Sequence, residues 1–372
     1  MLAAVTWDSV TQAQHLFARK LAARGINVVF VEPLPHRFPR LDEVGKAFQR
    51  VRRALTYGAR QAADSSPANL HVIRTLGLPE TFHSTRSLNN RWFVPRLQKR
   101  IQRLSSPPVV VECWKPLAGY LDLVRSLSPE LTVYSCIENY PFQYGAPAHF
   151  MEVEEALLAE ADLVVANSDY VAERLRATRR EVRVRDAAVD FELFDRAAVG
   201  PVTQARRLCY FGVVSDRLDF EILRGLAAAG YEVLLLGPVK RAPIDPDAPP
   251  PNIQCHHRVP IEDVPRIIAD SDCILLPYVV DEYTKGIRFA KLYECMATGK
   301  PILATPIPTL ERYPKLVHVA EDLAGFLNVL ETLPDLEDEA LYEERRRVAR
   351  NHTWDDLLDE EIAWLGRGLR DV

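Results

Sequence analysis

Lys291 and Glu294 stand three residues apart in the stretch KGIRFAKLYECMATGKPILATPIP, residues 285–308. Phe289, Leu292 and Met296 recur there at i, i+3 and i+7, which predicts one buried helical face. Gly299 follows as a C-terminal cap, and PILAT reads as a short buried strand. Lys291 and Glu294 fall on another side of that helix, close to its start, where backbone N–H groups are free. A lysine at a helix N-terminus suits phosphate, and a carboxylate one turn further on can accept hydrogen bonds from sugar hydroxyls. The alternative is an i, i+3 ion pair on a solvated face, which contributes only a few tenths of a kcal/mol.

Other residues with chemical capacity sit at predicted strand ends. Glu138 closes the strand in YSCIENY and could take a proton from an attacking hydroxyl, or simply cap the turn before Pro141. Asp8 and His15 flank the first strand-to-helix turn, where His15 is equally suited to packing or capping. Gly212 and the SDRLD after it open a second such turn. A glycine there lets backbone approach a phosphate, with Arg217 beside it. His256, His257 and Arg258 end another strand. Adjacent strand residues point to opposite faces, so the two histidines cannot form a simple metal pair. The D-x-D at Asp245–Asp247 lies in the proline-rich loop APIDPDAPPP, away from any strand end, and no metal is expected.

These residues need a scaffold, and 372 residues are too many for one ordinary core. LAAVTW reads as a strand, TQAQHLFARKLAARG as a helix burying Ala13, Leu16, Phe17 and Leu21, and INVVFVEP as a second strand. That β-α-β start predicts parallel strands. HVIRTL, PVVVECW, LTVYSCI, ADLVVANS and VRVRDAAVD continue a doubly wound domain over residues 1–195. RLCYFGVV, YEVLLLGP, NIQCHHR, DCILLPY and PILAT, with helices between them, predict a second over 206–350. Residues 353–372 read as an amphipathic helix with Thr353 as N-cap, suited to packing back on the first domain. The fold class is therefore α/β, two Rossmann-like doubly wound domains facing each other across a cleft where strand C-terminal ends meet. No G-x-G-x-x-G follows the first strand and no Walker A motif occurs, which speaks against dinucleotide and P-loop chemistry.

Composition narrows the partners. The chain is 48% hydrophobic and 26% charged, as expected of a globular protein, with no apolar run long enough to span a bilayer and no signal peptide expected. Six scattered cysteines without a C-x-x-C pair fit buried thiols in a reducing cytoplasm. Residues 1–110 carry 17 Lys and Arg against 6 Asp and Glu, a net +11, whereas the remaining 29 against 45 leave −16. The segments 36–53 and 91–103 mix cations with aromatic and aliphatic residues. They fit helices with snorkelling arginines, or a surface that docks on anionic lipid. No nucleic-acid recognition motif accompanies the charge.

In order and spacing, WDSVTQAQHLFARKLAARGINVVFVEP, VYSCIENYPFQYGAP, EEALLAEADLVVANS, YFGVVSDRLD, LLLGP, NIQCHHRVPIEDVP and DEYTKGIRFAKLYECMATGKPILATP resemble bacterial GT-B glycosyltransferases near the family 4 type. The resemblance covers most of the chain. It implies that Lys291 contacts a donor diphosphate and Glu294 the ribose, with Thr284, Lys285 and Arg288 supplying further phosphate contacts. It also implies that the strand ending at Arg258 leads to the nucleobase, and that Glu138 is the base if configuration inverts. Many family 4 enzymes carry a glutamate eight positions before the ribose-binding one. Gly286 stands there instead, as xanthan glucuronosyltransferase-type relatives also lack the pair. The implied activity is hexosyl or uronosyl transfer without a cofactor or metal. The donor would be a UDP-sugar, with GDP- and dTDP-sugars open, and the acceptor a glycan, lipid-linked sugar or small molecule. The enzyme would work in the cytoplasm or on the inner face of the cell membrane. The alternatives are a nucleotide-sugar epimerase and a non-catalytic GT-B module that binds nucleotide or glycan.

Overall fold

Runs of β-branched and aliphatic residues bounded by glycine, proline and polar turns produce fifteen short strands among the described residues. The computed structural model describes residues 1–372 except 10, 37, 39–44, 46–58, 62–66, 106–108, 144, 289 and 372. The chain divides into two units, Met1–Asp186 with Leu358–Val372, and Ala187–Leu357.

The first unit contains α1 (Ala13–Ala23), β1 (Val28–Val31), β2 (Ala59–Gln61), β3 (Leu70–Ile73), α2 (His83–Leu88), a π-helical turn Asn89–Phe93 and α3 (Val94–Leu104). It continues with β4 (Val110–Cys113), α4 (Ala118–Leu127), β5 (Leu131–Cys136), α5 (Phe150–Glu160), β6 (Leu163–Ala166), α6 (Asp169–Arg176) and β7 (Arg183–Val184). β4, β5, β6 and β7 pair in parallel, as do β1 and β3, while β2 adds an antiparallel edge. The expected strand LAAVTW shrinks to Leu2, which bridges in parallel to Val31 and Cys113 and so connects the two sets. Side chains explain the shortening. The Ala4 N–H donates to Gln14 Oε1 at 2.9 Å and the Trp7 N–H to Glu32 Oε1 at 3.0 Å, so these backbone donors never reach a ladder.

The buried face of α1 also differs from expectation. Gln14, His15, Phe17, Ala18, Leu21 and Ala22 are buried, while Ala13 is exposed and Leu16 half-buried. Two polar side chains with partners thus turn the helix away from the face that hydrophobicity alone selects. Of VRVRDAAVD only Arg183 and Val184 pair.

The second unit follows with α7 (Phe191–Phe194), β8 (Arg207–Phe211), β9 (Val214–Ser215), α8 (Phe220–Ala228), β10 (Glu232–Leu236), β11 (Val239–Lys240) and β12 (Ile253–His256). Then come α9 (Val264–Ile268), β13 (Cys273–Leu276), α10 (Glu282–Lys285), α11 (Ala290–Ala297), β14 (Ile302–Ala304), β15 (His318–Val319), α12 (Leu323–Leu336), α13 (Glu339–Arg350) and α14 (Trp354–Asp371). Its main sheet runs β12-β10-β8-β13-β14-β15, all parallel. The central strands are buried along nearly their whole length, as a sheet covered on both faces requires. The order reverses at β8, and its C-terminal end is where a doubly wound sheet accepts a ligand.

Thr353 caps α14 by accepting the Asp356 N–H at 3.2 Å. From Leu358 onward this helix belongs to the first unit. Trp364, Leu365 and Leu369 cover Leu131, Val133 and Val165. Glu361 pairs with Arg185 at 2.7 Å, and Arg185 in turn reaches Glu112 at 2.9 Å. All six cysteines are free thiols, and all but the half-buried Cys255 are buried.

Candidate active site

The end of β8 brings together Gly212 and Lys291, two of the residues that the sequence singled out in the second unit. Gly212 leaves the strand at φ +131°, and its N–H donates to the Leu236 carbonyl at the end of β10 at 2.8 Å. Gly237, at φ +142°, lies so close that an added Cβ would fall 1.9 Å from the Gly212 carbonyl oxygen. Only glycine meets both the positive φ and this backbone approach.

Lys291, in the first turn of α11, crosses to that corner. Its Nζ donates to the Phe211 carbonyl at 2.7 Å and to Tyr210 Oη at 3.0 Å, and lies 4.2 Å from the Tyr210 ring centroid. A Cβ at position 212 would sit 2.3 Å from the same Nζ. The space left by Gly212 is therefore occupied by the ammonium, where the sequence suggested an approaching phosphate. Burial lowers the Lys291 pKa, but the Tyr210 and Tyr278 hydroxyls outweigh it and hold the net value above that of an ordinary lysine. Glu294 is half-buried one turn on. Burial pushes its carboxyl up to about 7, with Lys291 opposing the rise. Leu292 and Met296 form the expected buried face, Phe289 lies outside the described residues, and Gly299 ends the segment at φ +71°.

The expected neighbours divide by what holds them. Asp281 caps α10 by accepting the Thr284 N–H at 2.7 Å. Thr284 is buried, and its hydroxyl donates to the Val279 carbonyl at 2.6 Å. That hydroxyl builds the loop instead of facing a ligand, contrary to expectation. Lys285 pairs with Glu282 at 2.7 Å, Arg288 is half-buried, and Gly286 ends α10. Arg217 lies 4.2 Å from the Tyr283 ring centroid, a cation–π contact that fixes it beside the same loop. Arg258 is exposed just past β12. Asp245 accepts the Asp247 N–H at 3.0 Å, so this D-x-D closes its own turn. Among the described residues no group of three or more His, Cys, Asp or Glu is placed to hold a metal ion.

In the first unit Glu138 is half-buried, two residues past β5, and Gln143 Nε2 donates to its Oε2 at 3.1 Å. Asp8 is engaged by Arg74 at 2.9 Å. His15 is 1% exposed; its Nδ1 accepts the Gln12 N–H at 3.0 Å, and Nε2 donates to the Thr6 carbonyl at 3.1 Å. Burial lowers its pKa, which keeps the ring neutral. With both nitrogens spent and the ring stacked on Phe30, His15 holds the first turn together and is not placed for catalysis.

Residues 220–362 match the family model described as glycosyl transferase-like. Over 98% of its length the chain is 23% identical to the putative teichuronic acid biosynthesis glycosyltransferase TuaH of Bacillus subtilis strain 168, of which 96% is covered. The chain is a glycosyltransferase. Sucrose-phosphate synthase from Thermosynechococcus elongatus superposes on it with a TM-score of 0.67 at 14% identity, over 96% of this chain and 92% of that one. Anabaena HepE in complex with UDP-glucose gives 0.64 at 12% identity, over 95% and 94%. These likenesses give the glycosyltransferase a GT-B fold.

Sequence reasoning overlooked two residues around Lys291 and, separately in the first unit, a buried lysine. Tyr210 and Tyr278 look like ordinary aromatic core in RLCYF and ILLPY, yet their hydroxyls surround Lys291. Lys115, after β4, is buried against the Tyr140 and Phe150 rings, 5.7 Å from each centroid. A lysine directly after a parallel strand was the available signal.

Proposed function

We propose that the second unit of this glycosyltransferase holds a UDP-sugar, and that the sugar passes to a glycan, lipid-linked or small-molecule acceptor. The observation that carries this reading is the fixed Lys291 ammonium beside Gly212, at the start of α11, with Glu294 one turn further on. Lys291 and the helix N-terminus meet the diphosphate, and Glu294 accepts from the ribose hydroxyls, the pattern of the family 4 type. Negative charge builds on the leaving diphosphate as the glycosidic bond breaks. A pre-placed ammonium stabilises that charge without reorganising. Arg217, Lys285 and Arg288 add positive charge on the same side, and Arg258 lies toward the nucleobase. No metal or cofactor takes part. In an inverting hexosyl or uronosyl transfer, Glu138 removes the acceptor proton. UDP is the first choice of nucleotide because the structurally similar HepE binds UDP-glucose.

A thermal-shift panel of UDP, GDP, dTDP and CMP, repeated in EDTA, tests the donor reading. A ligand at about 100 times its Kd adds about 2.7 kcal/mol, enough to move the midpoint by several degrees. UDP should stabilise the protein equally with and without EDTA. If no nucleotide does, the donor site is wrongly placed.

The acceptor side of the same proposal is an anionic membrane surface. Val94, Leu97 and Ile101 bury one face of α3, leaving Arg96, Lys99 and Arg103 outside, with Trp92 49% exposed and Phe82 56% exposed nearby in sequence. Arg91 and Arg96 both lie over the Trp92 ring, a cationic and aromatic pairing suited to a lipid headgroup boundary. Of the basic segment 36–53, only residues 36, 38 and 45 are described, so most of that expectation lies outside the described residues. No described helix is long and apolar enough to cross a membrane. Neutralising Arg96, Lys99 and Arg103 together should reduce sedimentation with phosphatidylglycerol vesicles. Equal sedimentation would leave these residues as a solvated face.

A further inference from the structure

Lysine is a compact charge on a flexible four-carbon stem, and ordering it on binding costs conformational entropy. Lys291 is already ordered by groups from the ends of two strands. Tyr210, on β8, donates its hydroxyl proton to the Val213 carbonyl at 3.0 Å, which leaves its oxygen to accept from Lys291 Nζ at 3.0 Å. Tyr278 Oη, just past β13, lies 3.2 Å from Tyr210 Oη. Because the Tyr210 proton is committed to Val213, Tyr278 is the donor of that pair. Tyr278 is itself held by Thr305, which accepts its N–H at 2.9 Å and donates to its carbonyl at 2.7 Å. The Phe211 carbonyl takes a further Lys291 proton at 2.7 Å.

We propose that Tyr210, backed by Tyr278, is a positioning residue that sets the Lys291 ammonium for recognition of the donor diphosphate. This rests on the donor reading above and adds the device that makes Lys291 effective. The Tyr210 hydroxyl, with the Tyr278 hydroxyl behind it and the Phe211 carbonyl beside it, holds the ammonium at the end of β8. The charge therefore meets the diphosphate without first being ordered, which is what pre-organisation contributes to affinity. Removing the Tyr210 hydroxyl leaves the ring, the packing and the lysine, but frees the stem.

The test is a double-mutant cycle on nucleotide affinity, with Tyr210→Phe, Lys291→Ala and the double variant titrated with UDP and with uridine, and midpoints recorded to confirm folding. Tyr210→Phe should weaken UDP binding about ten-fold, the scale of one hydrogen bond to a charged group, and leave uridine affinity unchanged. In the Lys291→Ala background the same change should add nothing. Tyr278→Phe, which keeps the Tyr210–Lys291 contact, should give a smaller loss of the same kind. If Lys291→Ala weakens UDP binding but Tyr210→Phe does not, or if the two losses simply add, positioning by Tyr210 is overturned while the donor site stands. If the wild-type protein binds UDP no more tightly than uridine, the donor reading fails and this inference with it.

Discussion

At the residue scale, a side chain's partners decide what chemistry it can still perform. His15 has spent both ring nitrogens on backbone, whereas Glu138, two residues past β5, keeps a half-buried carboxylate with one amide donor. Glu138→Gln should therefore lower kcat by at least about 100-fold, the ordinary contribution of a general base, with nucleotide affinity unchanged. Single-turnover assays and UDP titration on the same variant check this, and unaltered turnover removes Glu138 from the mechanism. Gly212 carries a related lesson. Its lack of a side chain was legible as a close approach, but which atom approaches depended on the rotamer of a residue 79 positions further along the chain.

Elements are placed by polar contacts as much as by apolar faces. Glu80 is fully buried at the start of α4, accepting the Ala118 N–H at 2.9 Å and the Gly119 N–H at 2.8 Å. A Cβ on Gly119 would lie 2.9 Å from Glu80 Oε1 and 2.3 Å from a Leu34 methyl, so the helix admits this carboxylate only because glycine opens it. Burial nevertheless outweighs those two donors and pushes the Glu80 carboxyl up to about 7. A raised acid binds more protons folded than unfolded, so its contribution favours the fold below about pH 4.5 and is lost as pH rises to about 7. The whole effect is at most about 3 kcal/mol. Glu80→Gln should flatten the fall in unfolding free energy between pH 5 and pH 7, whatever constant offset the amide introduces. Urea unfolding at several pH values measures the slope, and parallel curves for both proteins would refute the assignment.

For the whole molecule, the decisive feature is that the chain returns to the first unit after completing the second. Residues from Leu358 onward cover Leu131, Val133 and Val165, and Gly368 lets the helix approach so closely that a Cβ would fall 2.7 Å from a Leu163 methyl. Arg185 is buried between Glu112 and Glu361 and over the Phe17 and Trp114 rings. Truncation after Leu357 removes one of its two carboxylates together with an apolar lid. Disrupting a buried ion pair costs about 3–5 kcal/mol, or a midpoint lower by roughly 10 °C for a unit of this size. Calorimetry should show that loss, while UDP affinity stays near wild type because the proposed donor residues all lie in Ala187–Leu357. A truncated protein as stable as the full chain would show the lid to be dispensable.

Periodicity and turn chemistry are local, so the sequence alone already determined the α/β class, the parallel sheet of the second unit and the buried face of α11 with its glycine cap. The placing of Lys291 and Glu294 within the first turns of α11 was equally legible, because a lysine and a glutamate at a helix start are a local pattern. The tertiary structure decided what depends on distant partners. Gln14 and Glu32 took the backbone donors that would have extended the first strand, and capping consumed His15 and the Thr284 hydroxyl. Two core tyrosines became the seat of the Lys291 ammonium. Each outcome turns on a hydrogen bond between residues far apart in sequence, and no spacing rule along the chain encodes such a bond.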